Sequence, residues 1–197
     1  METLKIIPEK TAFISIDLQK GIASREMLPN KSEDVIKNAA KIAEAARANG
    51  IFIVLVNVTP FDGKDSLNPI VDSKPTWNTA TRSDDWSEIV ADMNQQKSDL
   101  KITKRQWGAF HGTELDLQLR RRGIDTIILC GISTNIGVET TAREAYQYGY
   151  DQIIAIDACS AITEEEHNHT EKYIFSRIAR IRKTDDIVKA IMQKSVI

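Results

Sequence analysis

Cysteine and histidine are scarce in this sequence, which has two cysteines and three histidines among 197 residues. Cys130 and Cys159 do not suggest a disulfide, because the first residues, METLKIIPEK, lack the apolar core of a secretory signal and intracellular thiols stay reduced. The histidines are His111, His167 and His169, and a single His-x-His pair in a polar stretch is weak evidence for a metal. We therefore predict a cytoplasmic protein without a metal or other cofactor.

An excess of positive charge is also missing. The chain has 26 lysines and arginines against 28 aspartates and glutamates, and the two signs are interspersed. No extended cationic surface is predicted, which argues against nucleic acid as a partner. No apolar run approaches the roughly 20 residues that span a bilayer, so a membrane segment is not expected either. The expected partner is a small-molecule substrate.

Short apolar segments are present, and they alternate with amphipathic ones. The segment IFIVLVNV is apolar almost throughout, which is typical of a parallel strand covered on both faces. The length of the chain suits one core and one domain over residues 1–197. The predicted strands are residues 11–17, 51–58, 100–104, 125–132, 151–157 and 178–183.

Helices are predicted between these strands. Ser32 begins one that Gly50 ends, and Thr113 begins another that Gly123 ends. Further helices are expected over 141–148 and 163–176 and from residue 184 onward. The alternation predicts a three-layer α/β/α sandwich around a six-stranded, mainly parallel sheet with right-handed crossovers, a Rossmann-like arrangement.

One long segment, residues 59–83, has no clear periodicity. It contains three of the five prolines, Pro60, Pro69 and Pro75, together with Trp77. A loop of this length in a compact domain is usually a lid, a binding loop or a subunit contact. Two interpretations stay open, a lid or pocket wall and a surface for packing into an oligomer.

Polar residues follow three of the predicted strands. Asp17 ends the first strand, Lys104 ends the third, and the turn from Ser133 to Gly137 follows the fourth. In an open parallel sheet, ligands bind beyond the carboxyl ends of the strands. Taken singly, Asp17 could be a solvated turn residue and Lys104 a surface cation. Together they indicate a candidate active site.

These segments resemble the isochorismatase-like hydrolases. The resemblance is carried by IDLQ around Asp17, by KRQWGAFHGTELDLQLRRRG from Lys104, and by GISTNIGVETTAREAYQYGY with the later DACSA. It covers nearly the whole chain except the 59–99 region. The segment STNIGVE most resembles the corresponding segment of small bacterial members of the superfamily.

The resemblance implies roles for three positions. Amide-cleaving members use an Asp, a Lys and a Cys, which map here to Asp17, Lys104 and Gly137. The nucleophilic thiol is thus absent. Cys130 lies seven residues earlier in an apolar strand, and Cys159 follows the fifth strand, so neither is an evident substitute. Residual hydrolysis through Cys159 remains a minor alternative.

True isochorismatases also have glycine at this position, and they need no protein nucleophile. In their reaction a vinyl ether is protonated on its methylene carbon, and water attacks the oxocarbenium centre to release pyruvate. Asp17 is the expected proton donor, and Lys104 is expected to tune its pKa. Gly137 would then leave room for the substrate to approach the backbone.

The resemblance also implies a non-proline cis peptide at Ile132-Ser133 and a polar floor in the following turn. Backbone N–H groups from Asn135 to Val138 are expected to be free to bind an anion at the helix start. The predicted substrate-binding residues are Gln19, Trp107, Phe110, Ser133, Thr134, Asn135 and Ile136. Trp107 and Phe110 could instead be packing residues, and Gln19 could bond to the turn.

Departures from the family limit what can be said of the substrate. The segment NVTPFDGKDS does not match the polar and basic residues that hold carboxylates in siderophore and phenazine isochorismatases, and it has no histidine for the metal set of nicotinamidases. Arg82, Lys64 or Lys74 could replace the missing contact.

Two main hypotheses follow. In the first, the protein hydrolyses a small carboxylated or enol-ether metabolite through Asp17. In the second, it is a catalytically inactive member that binds a metabolite or forms an oligomeric scaffold. Relatives commonly associate through helices beside the pocket, so a dimer or larger homo-oligomer is expected.

Overall fold

The structure is a computed structural model that describes residues 4–73 and 82–193. The described strands form one six-stranded sheet in the order β3-β2-β1-β4-β5-β6. Each neighbouring pair is parallel. The strands are β1 (Thr11–Ile16), β2 (Phe52–Val58), β3 (Leu100–Lys104), β4 (Thr126–Ile132), β5 (Asp151–Ser160) and β6 (Arg180–Arg182). The predicted fold class is confirmed.

Within the described residues, seven α-helical segments follow or connect these strands. They are α1 (Lys20–Ala23), α2 (Ser32–Ala48), α3 (Leu115–Arg121), α4 (Glu139–Gln147), α5 (Glu164–Thr170), α6 (Ser176–Ile178) and α7 (Thr184–Met192). π-helical turns precede α4 at Thr134–Val138 and join α5 to α6 at Glu171–Phe175. Within the described ranges, no helix is long and apolar enough to cross a membrane.

The helices cover both faces of the sheet. Helices α2 and α7 pack on each other and on β5, whereas α4 packs on β5 and α6 in the opposite layer. The central strands are therefore shielded on both sides, and every residue of β1 is buried. This explains the near-continuous apolar runs of the sequence, since a two-sided burial leaves no face for alternating polar residues.

The predicted boundaries are close to the observed ones, with three differences. β5 extends to Ser160 instead of ending near residue 157, and the predicted helix over 163–176 is divided by a π-helical turn. The short helix α1 was not expected. The predicted ends at Gly50 and Gly123 are observed as glycines with φ of 75° and 66°, a conformation that other residues rarely adopt.

The strand order places the candidate site at a switch point. From the centre of the sheet, the chain moves to β2 and β3 on one side of β1 and to β4, β5 and β6 on the other. The carboxyl ends of β1 and β4 are therefore neighbours from which the connections diverge, leaving a crevice between them. Asp17 and Ser133 directly follow these two strands.

Candidate active site

A buried ion pair joins Asp17 and Lys104. Lys104 Nζ lies 2.7 Å from Asp17 Oδ2, and the two side chains are 1% and 7% exposed, respectively. Lys104 ends β3, two strands away from β1, so its long side chain reaches past the end of β2 to make this contact. The same ammonium group donates to the carbonyl oxygen of Trp107 at 2.6 Å. The two residues that the sequence placed at strand ends are thus brought together.

The environment of Asp17 shifts the pKa of its carboxyl upward. Burial raises the pKa of the carboxyl, and the charge and hydrogen bond of Lys104 partly oppose this rise. Asp17 Oδ1 is buried and has no hydrogen-bond partner among the described residues. Lys104 therefore contacts one oxygen of this carboxyl, and the other makes no hydrogen bond within the described residues. The backbone of Asp17 has φ of 55°, which turns the chain sharply after β1.

Gly137 lies directly against this ion pair. A Cβ atom at Gly137 would be 3.2 Å from Asp17 Oδ2, 3.2 Å from Lys104 Nζ and 3.0 Å from Ile16 Cγ2. These distances are tighter than ordinary van der Waals contact, so a side chain would displace the pair or its neighbours. Position 137 is therefore adjacent to both charged groups.

The turn after β4 contains the cis peptide that the resemblance implies, at Ile132-Ser133. Its backbone differs from the prediction in one respect. The amide nitrogens of Ile136 and Val138 both donate to the carbonyl oxygen of Ser133 at 3.2 Å. These two groups are engaged within the turn, so the expectation of free N–H groups throughout residues 135–138 is wrong.

A cavity of about 210 Å³ opens beside the ion pair. Trp107, Ser133 and Ile136 line it, as the sequence predicted, and their role in binding a substrate stays a prediction. Apolar side chains form most of the wall, and several cationic side chains interrupt it. The described lining residues are Asp17, Ile22, Arg25, Val58, Pro60, Ser66, Leu67, Arg82, Trp86, Lys104, Arg105, Gln106, Trp107, Ile132, Ser133, Ile136 and Gly137.

Gln19 and Phe110 are not among the described residues that line this cavity. The Gln19 side chain accepts from the amide nitrogen of Val58 at 2.8 Å and donates to the carbonyl oxygen of Val58 at 3.1 Å. It therefore fastens the end of β2. Phe110 is buried against Tyr148 and Tyr150, with ring centroids 5.5 and 5.6 Å away. Both side chains make structural contacts, and their role in binding a substrate stays a prediction.

Thr134 and Asn135 are likewise outside the described cavity lining. Thr134 is buried, and its Oγ1 lies 2.8 Å from Nδ1 of His167 on α5. This bond anchors the turn to the helix layer, and burial lowers the pKa of His167. Asn135 Oδ1 is buried without a hydrogen-bond partner among the described residues. Neither residue belongs to the described lining of this cavity, and their contact with a substrate stays a prediction.

The long loop contributes part of the cavity wall. Pro60, Ser66 and Leu67 line the cavity, and Asp65 accepts from Arg105 Nε at 3.1 Å, which ties the loop to the end of β3. The pocket-wall interpretation fits this geometry, whereas self-association stays a prediction. Pro75 and Trp77 lie outside the described residues.

Of the three cations proposed to contact a carboxylate, the structure places Arg82 in the cavity lining. Lys64 is exposed and is not one of the described lining residues. Lys74 lies outside the described residues. Sequence reasoning missed Arg25 and Arg105, which also line the cavity. Arg105 adjoins Lys104 and could have been found from that position, but no pattern in the sequence marks Arg25.

Both thiols are unsuited to nucleophilic chemistry. Cys130 and Cys159 are fully buried in β4 and β5, and neither belongs to the described lining of the cavity. Burial raises the pKa of Cys159 to about 12 and that of Cys130 well above its ordinary range. Hydrolysis through Cys159 is therefore disfavoured. Among the described residues, no group of three or more His, Cys, Asp or Glu side chains is placed to hold a metal ion.

Comparison with known proteins shows the family of this chain. The chain matches the isochorismatase domain model over residues 11–186. It is 49% identical to the uncharacterized isochorismatase family protein YwoC of Bacillus subtilis (strain 168), covering 97% of this chain and 99% of that protein. It is 44% identical to the uncharacterized isochorismatase family protein YecD of Escherichia coli O157:H7, covering 95% and 100%.

A solved structure is similar over the same length. An isochorismatase family protein from Burkholderia thailandensis superposes with a TM-score of 0.89 at 36% identity, covering 95% of this chain and 98% of that one. The chain therefore belongs to the isochorismatase family and has the fold of its hydrolases.

Proposed function

We propose that this protein hydrolyses a small unsaturated or enol-ether carboxylic acid by general-acid catalysis from Asp17, without a cysteine nucleophile. The observation that carries the proposal is the asymmetry of the Asp17 carboxyl. Lys104 holds Oδ2 at 2.7 Å, whereas the buried Oδ1 has no partner among the described residues. Burial raises the pKa of this carboxyl, so it keeps a proton to higher pH than an exposed aspartate does.

In the proposed reaction, Asp17 transfers its proton to the methylene carbon of an enolpyruvyl ether. The C=C π electrons form the new C–H bond, and positive charge develops on the ether carbon and oxygen. The carboxylate left on Asp17 is stabilised by Lys104, which favours the transfer. Water then adds to the cationic carbon and loses a proton to Asp17. The resulting hemiketal releases the alcohol and pyruvate when its C–O bond breaks, with the hydroxyl proton passing to the leaving oxygen.

Gly137 supports this reaction because it has no side chain to fill the space beside the ion pair. A side chain there would meet Asp17 Oδ2 and Lys104 Nζ at 3.2 Å. With glycine, the substrate can reach the Asp17 carboxyl along the backbone of the turn. Ser133 and Ile136 form the adjoining wall, and the apolar side chains around them reduce the access of water to the ion pair.

The competing function is binding of a metabolite without turnover. Glycine at position 137 is also expected in a protein that descends from a cysteine-dependent enzyme and has lost its activity. Both functions use the same cavity, so turnover is the property that separates them.

The test is to incubate the protein with isochorismate and a panel of enolpyruvyl ethers while measuring pyruvate release. Asp17→Asn should lower kcat by about 100- to 10,000-fold, the range typical of a lost general acid. Asp99→Asn is the matched control, because Asp99 is also paired with a cation, Arg47, and its side chain is 1% exposed. We expect that variant to retain its kcat. Absence of turnover with every compound would favour the binding function instead.

A further inference from the structure

The Lys104 ammonium has a second partner besides Asp17, and that partner lies in an irregular segment. The ammonium donates to the carbonyl oxygen of Trp107 at 2.6 Å, next to its contact with Asp17 Oδ2 at 2.7 Å. Residues 105–114, between β3 and α3, form neither a helix nor a strand. The position of the Trp107 carbonyl therefore depends on contacts that this segment makes elsewhere in the fold.

Thr141 on α4 provides one of these contacts. Its Oγ1 donates to the carbonyl oxygen of Gly137 at 2.7 Å, the bond that a threonine hydroxyl can make to the carbonyl four residues earlier in a helix. Because the one hydroxyl proton is used there, the same oxygen is left to accept, and it accepts from the amide nitrogen of Ala109 at 3.1 Å. Thr141 and Ala109 are both fully buried. One hydroxyl thus joins the turn at Gly137 to the segment that holds Lys104.

A second contact comes from Glu144, three residues further along α4. Its Oε2 accepts from the amide nitrogen of Phe110 at 3.0 Å. A Cβ atom at Gly108 would overlap the Glu144 carboxylate, so glycine is needed for the segment to lie this close to the helix. Residues three apart lie on the same face of a helix. Thr141 and Glu144 are therefore two adjacent anchors for residues 108–110.

We infer that Thr141 is a positioning residue for the Lys104 ammonium, with Glu144 as a second anchor. One end of the Thr141 bridge, at Ala109, lies two residues from the carbonyl that accepts from Lys104. At the other end, a Cβ atom at Gly137 would be 3.2 Å from Lys104 Nζ. The hydroxyl therefore fixes the ammonium relative to the turn after β4.

Loss of this hydroxyl should loosen the ion pair. A buried N–H without a partner is costly, so the Ala109 amide should move toward another acceptor and take the Trp107 carbonyl with it. The contact of Lys104 with Asp17 would then weaken. Because that contact lowers the pKa of Asp17, the pKa should rise when the contact weakens. The effect on turnover rests on the proposed function, whereas the effect on this pKa does not.

The test compares Thr141→Val, which removes the hydroxyl and keeps the branched shape, with Thr141→Ser, which keeps the hydroxyl. The pKa of Asp17 is measured by carbon-13 NMR of its labelled side-chain carboxyl, and kcat is measured with an enol ether that the protein accepts. In Thr141→Val we expect the pKa of Asp17 to rise part of the way to its value in Lys104→Met, and kcat to fall about 10-fold. Thr141→Ser should return both quantities toward those of the wild type.

Thr11→Val is the matched control. Thr11 is also a buried threonine, and its hydroxyl donates to the carbonyl oxygen of Ile7, four residues earlier, at 2.8 Å. It begins β1, at the edge of the sheet opposite to the ion pair. This variant should lower the free energy of unfolding and leave the pKa of Asp17 unchanged. Glu144→Ala removes the second anchor, and we expect a smaller rise in the same pKa.

Three results would overturn the inference. An unchanged or lower pKa of Asp17 in Thr141→Val, or in Glu144→Ala where the first variant does not fold, would show that these anchors do not position the ammonium. An equal rise in Thr11→Val would show a general effect of loosened packing. A pKa in Thr141→Ser as high as in Thr141→Val would show that the hydroxyl is not responsible.

The two measurements also separate this inference from the proposed function. If the pKa of Asp17 rises as expected and no compound is turned over, Thr141 still positions the ammonium and the proposed reaction fails. If an enol ether is hydrolysed through Asp17 and the pKa is unchanged in Thr141→Val, the proposed reaction stands and the role of Thr141 fails.

Discussion

The two ends of β3 each adjoin a buried pair of an aspartate and a cation, and the pairs differ in how the carboxylate is satisfied. At the amino end, Asp99 accepts from Arg47 Nε at 3.3 Å, from Arg47 Nη2 at 2.8 Å and from the amide nitrogen of Gln96 at 2.9 Å. At the carboxyl end, Lys104 holds one oxygen of Asp17, and the other has no partner within the described residues. Burial of a charged pair is therefore not by itself a sign of catalysis.

This difference has a physical meaning. Buried polar atoms are almost always hydrogen-bonded, so an exception calls for an explanation. Both carboxylate oxygens of Asp99 accept hydrogen bonds, which suits a structural contact at the start of β3. Asp17 lines a cavity, and its Oδ1 is buried without a hydrogen-bond partner among the described residues. The comparison predicts that substitutions in the Asp17–Lys104 pair will mainly lower activity. Substitutions in the Asp99–Arg47 pair should mainly lower stability.

The largest effect in this comparison is expected from Lys104→Met. The charge and hydrogen bond of Lys104 lower the pKa of Asp17, so their removal should raise that pKa further and weaken the acid. We expect kcat for an accepted enol ether to fall about 100-fold. Activity requires protonated Asp17 and declines as pH rises through its pKa, so this decline should move to higher pH. Arg47→Met is the control, and an equal loss of kcat there would remove the distinction between the pairs.

A smaller effect, on stability, is expected from Asp99→Asn. The substitution weakens the contacts to Arg47, whose side chain is 19% exposed and can recover part of its hydration. We expect the free energy of unfolding to fall by about 1 to 3 kcal/mol in urea denaturation. The kcat of the folded protein should be unchanged. A stable variant with reduced kcat would mean that this pair also serves catalysis.

The smallest effect is expected from Gly137→Ala. The added Cβ would approach Ile16 Cγ2 at 3.0 Å and the ion pair at 3.2 Å, so these groups must shift by a few tenths of an ångström. We expect kcat/KM to fall about tenfold, equivalent to about 1.4 kcal/mol in the barrier. Thermal unfolding should show that the fold is retained. Full activity in this variant would show that the space at Gly137 is not needed by the substrate.

The Asp17–Lys104 pair was accessible from the sequence because position along a strand carries spatial information. Asp17, Lys104 and the Ser133 turn each end a predicted strand, and parallel strands bring such ends to one edge of the sheet. The family resemblance then assigned roles to these positions. The strand order was not evident in advance, and it is the order that makes Lys104 reach across β2.

The residues that line the cavity were harder to predict, because hydrogen bonds to distant residues hold some of the predicted side chains elsewhere. Gln19 is occupied by Val58, 39 residues away, and Thr134 by His167, 33 residues away. Neither pairing leaves a local signal. Arg25 lies in the irregular segment between α1 and α2, where no periodicity indicates which side chains face inward.

The protonation of Asp17 can be measured directly. Aspartate labelled with carbon-13 at the side-chain carboxyl gives one NMR signal for each residue, and Asp17→Asn identifies the signal of Asp17. We predict that this carboxyl titrates above the ordinary range of aspartate, and that its pKa rises further in Lys104→Met. A pKa at or below the ordinary value would mean that Asp17 holds no proton to donate, and it would contradict the mechanism.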